Sequence, residues 1–454
     1  MNKHRYDMGM IGNCAYSALV DKNANVKWLC WPRFDSSFAF GALLDQDNAG
    51  HFKICPSAQK YSSSQKYLDN TNVLCTRFEC VDGVFEVTDF APRFLLFERF
   101  HKPLMLFRKV RKISGNPRIL VDCSPVGDYG KTRPKEQLGS NHIRYEGLAQ
   151  PMRLTTNASL TYLLERKDFA LSEDLYFVLS WGIPLEGPLE TTFEDFLNRT
   201  KKYWMKWVER CSLPHIFQKQ VIRSALVLKL HQYEDTGAII AACTTSLPEI
   251  DGEGRNWDYR FCWLRDTYYT ISALNSLGHF DEMERYAHFI ENLNLDKLDS
   301  LQPCYRIDGS SEMTEVELPL AGYLGNKPVR IGNGAALQVQ HDAYGQILLA
   351  LYSLYTDERL IDRHARTSTH MMKRILKYIE ITMETPDNGV WEFRGKQAIH
   401  AYTLLFHWAG SAAVLKIARM IGDEELESRA LRCRDQAAAV LEKSYSSVKK
   451  AYAQ

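Results

Sequence analysis

The periodicity of the chain changes near Thr192, and that change limits what each half can build. Before it, short apolar segments such as Val73-Leu74-Cys75-Thr76-Arg77-Phe78 and Val84-Phe85-Glu86-Val87-Thr88-Asp89-Phe90 have strand-like length and partial period-two alternation. Turn residues separate them, as at Asp82-Gly83 and Ser114-Gly115-Asn116-Pro117. Strands this short, punctuated this regularly, predict antiparallel sheets stacked as a sandwich. After Thr192 the apolar spacing becomes helical. Phe196, Tyr203, Trp204 and Trp207 open a helix that would link the halves. Amphipathic stretches follow at 218–233, 266–277, 281–293, 335–354, 370–383, 402–421 and 424–445.

This pattern predicts an α+β multidomain chain: a β-sandwich domain over 1–190, a helical linker over 191–214 and a helical domain over 215–454. Consecutive helices with little strand between them, and loops rich in Gly, Trp, Tyr, Asn and Asp, describe an α/α toroid. Seven helices are legible, whereas a ring of six hairpins needs twelve. The toroid is therefore expected to be incomplete, with its C-terminal part missing.

Composition excludes more than it selects. In 454 residues the formal net charge is +1, which gives no reason to expect nucleic acid or an anionic membrane surface as partner. The densest basic cluster, Arg108-Lys109-Val110-Arg111-Lys112, is short and is read as a solvated surface. No run approaches the roughly 18–20 uninterrupted apolar residues of a membrane span. Residues Met1 to Asp7 lack the apolar core of a secretory signal, so a cytoplasmic location is expected. The eleven cysteines have no metal-site spacing, which predicts reduced, mostly buried thiols, no metal and no cofactor.

Three segments could carry chemistry. The densest is Gly254-Arg255-Asn256-Trp257-Asp258-Tyr259-Arg260-Phe261-Cys262-Trp263-Leu264-Arg265-Asp266, which gathers four aromatics, three Arg and two Asp before an amphipathic helix. Arg265 beside Asp266 offers forked donors next to a double acceptor, suited to clamping adjacent sugar hydroxyls. Residue type alone leaves open the alternative that Asp266 caps the helix and pairs locally with Arg265. The second segment, Gly322 to Gly334, is a glycine-rich loop without the Lys and Ser/Thr spacing of a phosphate loop. There Arg330 and Asn333 could point into a pocket, or Asn333 could cap the next helix.

The third is Gly389-Val390-Trp391-Glu392-Phe393-Arg394-Gly395, after the turn Pro386-Asp387-Asn388. A carboxyl packed on an indole is partly desolvated, which favours its protonated form, as a general acid requires. A surface Glu beside a core Trp is the alternative. Glu315 and Glu317 are read as facing solvent or holding their loop, and His341 as a helix residue.

Taken together, these segments resemble glycoside hydrolase family 15, the glucoamylase family that also contains trehalases and glucodextranases. The matching stretches, in family order, are Ile11-Gly12-Asn13, Trp28 to Ser36, Thr236 to Ala242, Thr244 to Glu249, Arg255 to Asp266, Pro328 to Asn333 and Gly389 to Gly395. The resemblance implies an N-terminal super-β-sandwich, a helical linker and an (α/α)6 barrel. It implies inverting hydrolysis of an α-glucosidic bond at a non-reducing glucose. Glu392 would be the general acid, Arg265 and Asp266 would grip glucose hydroxyls, and Tyr259, Trp263 and Trp391 would wall the subsite. Arg330 and Asn333 match the next loop of the pocket.

The family's general base, a Glu near the last helices of the barrel, has no counterpart in this sequence. The expectation is thus a glucoamylase-like hydrolase of maltooligosaccharides, starch or glycogen. A trehalase, or an inactive truncated fragment lacking the base, is the alternative. An open ring would leave apolar helix faces for an oligomer or a complementing chain.

Overall fold

The computed structural model describes residues 6–293, 301–357 and 368–452, which fall into two compact units. The first comprises residues up to Tyr233 together with Ala242–Arg260 and Val316–Ile331. The second comprises Glu234–Ala241, Phe261–Glu315 and residues from Gly332 onward. The chain is thus mixed α+β, and its compact units interleave along the sequence.

The first unit is built on two antiparallel sheets. One has Met8–Gly12, Ser17–Asp21, Asn25–Cys30, His51–Pro56, Arg118–Ser124 and Phe169–Ala170 in that order, with Phe38–Phe40 paired to Asn25–Cys30. The other runs Lys135–Leu138, His142–Glu146, Met152–Thr156, Leu175–Trp181, Met105–Gly115, Gly83–Phe90, Leu74–Cys80, Tyr61–Tyr67. Alternating residues of both, among them Val20, Val26, Ile54, Phe85, Val87, Leu106, Val110 and Phe177, bury into one shared core, which makes the pair a sandwich. The two segments read as strands pair in register from Leu74↔Asp89 to Cys80↔Gly83. Both turn signals fall at strand junctions, Asp82-Gly83 where Gly83–Phe90 begins and 114–117 where Met105–Gly115 gives way to Arg118–Ser124.

The basic cluster in this sheet is not the solvated surface expected. Arg108 is wholly buried and forks onto Asp89 at 2.7 and 3.2 Å, with its remaining donors on the carbonyls of Phe52 and Ala24. Period two explains the difference. Arg108 and Val110 point inward while Lys109 and Arg111 find partly exposed carboxylates, Lys109 on Glu194 and Arg111 on Glu86.

Ten helices are described: α1 (Leu160–Leu164), α2 (Leu189–Val208), α3 (Gln218–Leu230), α4 (Leu264–Ser276), α5 (Asp281–Asn292), α6 (Asp342–Ala350), α7 (Tyr352–Thr356), α8 (Ser368–Thr382), α9 (Ala401–Ile421) and α10 (Glu424–Glu442). The expected linker helix is α2. It lays Phe193 on Phe90, Phe107 and Tyr176, so it packs as part of the first unit. The periodic stretch 335–354 is broken into a 3₁₀ turn at Gly334–Leu337, then α6 and α7.

In the second unit α6 packs on α4 and on α9, and α9 packs on α10 across the left-handed C-cap Gly422. α9 is the one described helix long and apolar enough to cross a membrane. Its apolarity has a packing cause, since Leu404, Phe406, Val414, Leu415 and Ile417 are buried. The cysteines are free thiols, most of them buried.

Candidate active site

The start of α4 sets one side of the site. Cys262–Trp263 pairs antiparallel with Cys304–Tyr305, and the strand passes directly into the helix at Leu264. Leu264, Thr267, Ile271 and Leu274 form the buried stripe of α4. Arg265, Asp266 and Tyr269 therefore fall on its other face. Arg265 pairs with its neighbour, Nε lying 3.6 Å from Asp266 Oδ2.

The turn before Glu392 sets the other side. Asp387, 1% exposed, is its hub. One carboxylate oxygen accepts the His341 amide at 3.0 Å and the Thr403 hydroxyl at 2.8 Å, and the other accepts the Gly389 amide at 2.9 Å. Asn388 accepts the Val339 amide at 3.0 Å and donates to the Phe393 carbonyl at 2.8 Å. The backbone then turns through two left-handed residues, Gly389 (φ 67°) and Glu392 (φ 55°). For glutamate that conformation costs about 1–2 kcal/mol and persists because the surrounding bonds impose it.

The left-handed turn brings the Glu392 carboxyl to α4. Its Oε1 accepts three hydrogen bonds, from Trp263 Nε1 at 2.8 Å, Arg265 Nη2 at 3.0 Å and Gln340 Nε2 at 3.3 Å. Arg265 Nη1 in turn donates to Gln340 Oε1 at 2.8 Å, so acid, guanidinium and amide brace one another. The indole touching Glu392 is Trp263, not its sequence neighbour Trp391. Trp391 is 71% exposed and lines a cleft of about 600 Å³ with Arg265, Asp266, Tyr269, Val390, Ala401, Tyr402 and Tyr452.

The charges follow from this packing. Burial pushes the Asp266 carboxyl up, with Arg265 pulling the other way. Burial works against the Arg265 charge, yet Asp266, Glu392 and Asp342 together hold its pKa above the ordinary value. Asp342, 1% exposed, is pushed up to about 6 by burial, with Arg265 opposing and Asp387 reinforcing.

A carboxyl clamped onto Arg265, with Arg265 and Asp266 lining an aromatic cleft, fits sugar chemistry, and the chain's relatives identify the lineage. The sequence profile of glycosyl hydrolases family 15 matches residues 215–454. This chain belongs to that family. A trehalase-like N-terminal profile matches residues 4–167 of the same family 15 chain. A trehalase of Thermoplasma volcanium is 32% identical over 91% of this chain and 67% of its own length. Trehalase 1 of Sulfolobus acidocaldarius is 34% identical, with 90% and 70% covered. A trehalase of Mycolicibacterium smegmatis is 30% identical, with 92% and 66% covered. The chain thus spans about two thirds of the length of these relatives.

Of the residues singled out in this family 15 sequence, Trp263, Arg265, Asp266, Trp391 and Glu392 come together in the second unit. Asn333 also lies there, where its side chain accepts the Ala335 amide at 2.9 Å and caps the 3₁₀ turn. Tyr259 and Arg330 belong to the first unit. Tyr259 donates to Glu249 at 3.1 Å, and Arg330 donates to the Gly254 and Asn256 carbonyls and lies over the Trp257 ring. Asp258 and Arg260, from the same dense segment, form a buried pair at 2.7 Å with Arg260 also on the Ser36 carbonyl. Glu315 holds its loop, accepting the Gly334 amide and pairing with Arg394.

Sequence reasoning missed Gln340, Tyr269, Tyr402 and Asp387. The signal that could have found Gln340 is the polar alternation Gln338-Val339-Gln340 after the glycine-rich loop, which interrupts the helical spacing over 335–354.

Proposed function

We propose that this family 15 hydrolase cleaves the α-glucosidic bond of trehalose with Glu392 as its general acid. Support for trehalose comes from the relatives, which are trehalases, and from the trehalase-like N-terminal match. Glucose release from starch or maltooligosaccharides, the first expectation from sequence, becomes the second choice on that ground.

The observation that supports the acid role is positional: three donors fix the Glu392 carboxyl beside Arg265, which lines the cleft together with Asp266. Among the described residues no donor reaches Oε2, so in the proposed step the transferred proton is placed on that oxygen. That proton passes to the glycosidic oxygen as the bond from the anomeric carbon breaks. Water then adds to the opposite face of the sugar and releases its proton to the surrounding solvent, inverting the configuration. The Arg265 donors and the Asp266 carboxylate would hold neighbouring hydroxyls of the non-reducing glucose, and the exposed Trp391 ring would cover an apolar sugar face. Inversion needs a second carboxyl roughly 6.5–9.5 Å from the first, and among the described residues we assign none to that role.

The second unit is read here as part of an (α/α)6 ring. Alternate helices α4, α6 and α9 packed in succession support that reading. The corresponding division of the chain is a β-domain over 1–190, a linker over 191–214 and a catalytic domain from 215.

Glucose release from trehalose, maltose, isomaltose and starch, with and without Glu392→Gln, tests the assignment. Release from trehalose that the substitution abolishes is expected. Release from maltose or starch but not trehalose would overturn the substrate, and trehalose turnover undiminished in Glu392→Gln would overturn the acid. Trehalose binding without turnover would make the chain a carbohydrate-binding relative.

A further inference from the structure

Behind the cleft lies a buried polar chain that the acid mechanism does not use. Asp342 Oδ2 accepts Gln346 Nε2 at 3.0 Å. The same nitrogen donates to the Tyr402 hydroxyl at 3.3 Å, and Tyr402 lies 2.9 Å from the Tyr269 hydroxyl. Asp342 and Gln346 are both fully buried, whereas Tyr402 and Tyr269 line the cleft. Two atoms of this chain, Asp342 Oδ1 and Gln346 Oε1, are buried with no hydrogen-bond partner. Orphans of that kind in a native interior call for a reason.

The Gln346 amide can sit in two ways, and each suits one charge state of Asp342. When Asp342 is ionised it only accepts, so the nitrogen must face it. That nitrogen then donates to Tyr402, whose oxygen accepts and whose own O–H points away from Gln346, to the Tyr269 hydroxyl or into the cleft. When Asp342 carries a proton it can donate to Gln346 Oε1 in the flipped amide. Oε1 then also accepts from Tyr402, and the phenol turns its proton inward.

We propose that Asp342 is a positioning residue that acts through Gln346 to set whether the Tyr402 hydroxyl presents a donor or an acceptor to a ligand in the cleft. The ligand class, a sugar offering hydroxyls of both kinds, rests on the function proposed above; the relay itself does not.

The groups around Asp342 place its titration in an accessible range. Arg265 on α4 favours the ionised form; burial and Asp387 on the Pro386–Gly389 turn disfavour it and bring the carboxyl to about 6. Tyr402 faces it from α9. His407, also on α9, is held down to about 4 by burial and bonds the His341 carbonyl, so it stays neutral through the window. Burial likewise lowers His341, the residue before Asp342. On α8 the charges are engaged elsewhere: Lys373 on Asp423 and Glu425, Arg374 over Tyr378, Glu380 on Arg429, with Lys377 exposed. α7 (Tyr352–Thr356) carries none.

Ultraviolet difference spectra of the full chain between pH 4.5 and 7.5 test the relay without a ligand, since reversing a phenol from donor to acceptor shifts its absorption. A tyrosine component with a midpoint near pH 6 is expected in the unsubstituted chain. It should vanish in Tyr402→Phe and in either Asp342→Asn or Gln346→Met, so that one misfolded variant does not decide the result. No tyrosine component in the unsubstituted chain, or a midpoint that survives both Asp342→Asn and Gln346→Met, overturns the proposal.

Calorimetric titration with trehalose adds the ligand arm. The dissociation constant should change about 2- to 10-fold across pH 6, the scale of one hydrogen bond. It should be flat across that range in Tyr402→Phe. A tyrosine midpoint without trehalose binding leaves the relay standing and overturns the sugar reading. A midpoint with binding that ignores pH overturns the link between relay and ligand.

Discussion

Gly389→Ala should destabilise the second unit more than Gly395→Ala, and the structure gives the reason for the difference. Both glycines are left-handed, with φ of 67° and 76°. Each substitution therefore carries the same backbone penalty of about 1–2 kcal/mol. Their surroundings differ. A Cβ at Gly395 would meet nothing within 4 Å, whereas one at Gly389 would lie 2.6–2.8 Å from three ring atoms of His400. His400 is 2% exposed and its Nε2 holds the Asp387 carbonyl at 3.1 Å, so the ring cannot swing aside without breaking the turn.

Forcing a methyl into such a site costs about 1–3 kcal/mol more. That difference corresponds to roughly 2–4 °C of Tm per kcal/mol for a unit of 150–250 residues. Thermal unfolding followed by circular dichroism measures both variants side by side. A double-mutant cycle with His400→Ala should recover the extra loss, because it removes the ring that the methyl strikes. Equal Tm values for Gly389→Ala and Gly395→Ala would refute the argument that the turn before Glu392 is packed against His400. So would an extra loss that persists in the His400→Ala background.

Three further outcomes are expected. Glu392→Gln should lower kcat on trehalose by on the order of 10²–10⁴ while leaving trehalose affinity nearly unchanged, as steady-state kinetics and titration would show. Arg108→Met should cost about 3–5 kcal/mol in urea unfolding, because it strands the buried Asp89 carboxylate and removes the donors to Phe52 and Ala24. Asp342→Asn should raise stability at pH 7–8 by up to about 3 kcal/mol, the value of a rise of about two pH units in a carboxyl pKa. The sign follows from proton binding. Between about pH 4 and 6 the folded chain holds a proton on Asp342 that the unfolded chain has lost, so stability falls as pH rises to 6 and the penalty stays above it. Below about pH 4 the carboxyl is protonated in both states and the penalty is gone, so the denaturant midpoints of the unsubstituted and Asp342→Asn chains should converge there.

Much of the fold was legible because period and punctuation speak for themselves. The Asp82-Gly83 turn lies between two strand-like segments that do pair as a hairpin, and the helical stretches from 218 onward begin within two or three residues of real helices wherever no turn chemistry intervenes. The stretch 335–354 misled because its apolar spacing continues through a polar interruption at Gln338–Gln340, where the chain leaves helical geometry to bond Glu392. Arg108 misled for a different reason. Its charge outweighed its position in the alternation, and only the long-range partner Asp89 makes an inward guanidinium tolerable.

The site divides along the same line. Glu392, Arg265 and Asp266 are singled out by residue type and resemblance, and Glu392 does meet Arg265, but the indole on the Glu392 carboxyl is not a sequence neighbour. Adjacent residues in a left-handed turn project in different directions, so the Trp391 ring is not the indole that the Glu392 carboxyl meets. Trp391 goes to the cleft wall and is 71% exposed, while the carboxyl turns inward to an indole 129 positions away. What fixes that choice is Asp387, which ties the turn to the amides of His341 and Gly389 and to the Thr403 hydroxyl. These bonds join the start of α6, the acid-bearing turn and the first turn of α9. The orientation of the Glu392 carboxyl is therefore a property of three packed elements, and any substitution that separates them should disturb Glu392 without touching it.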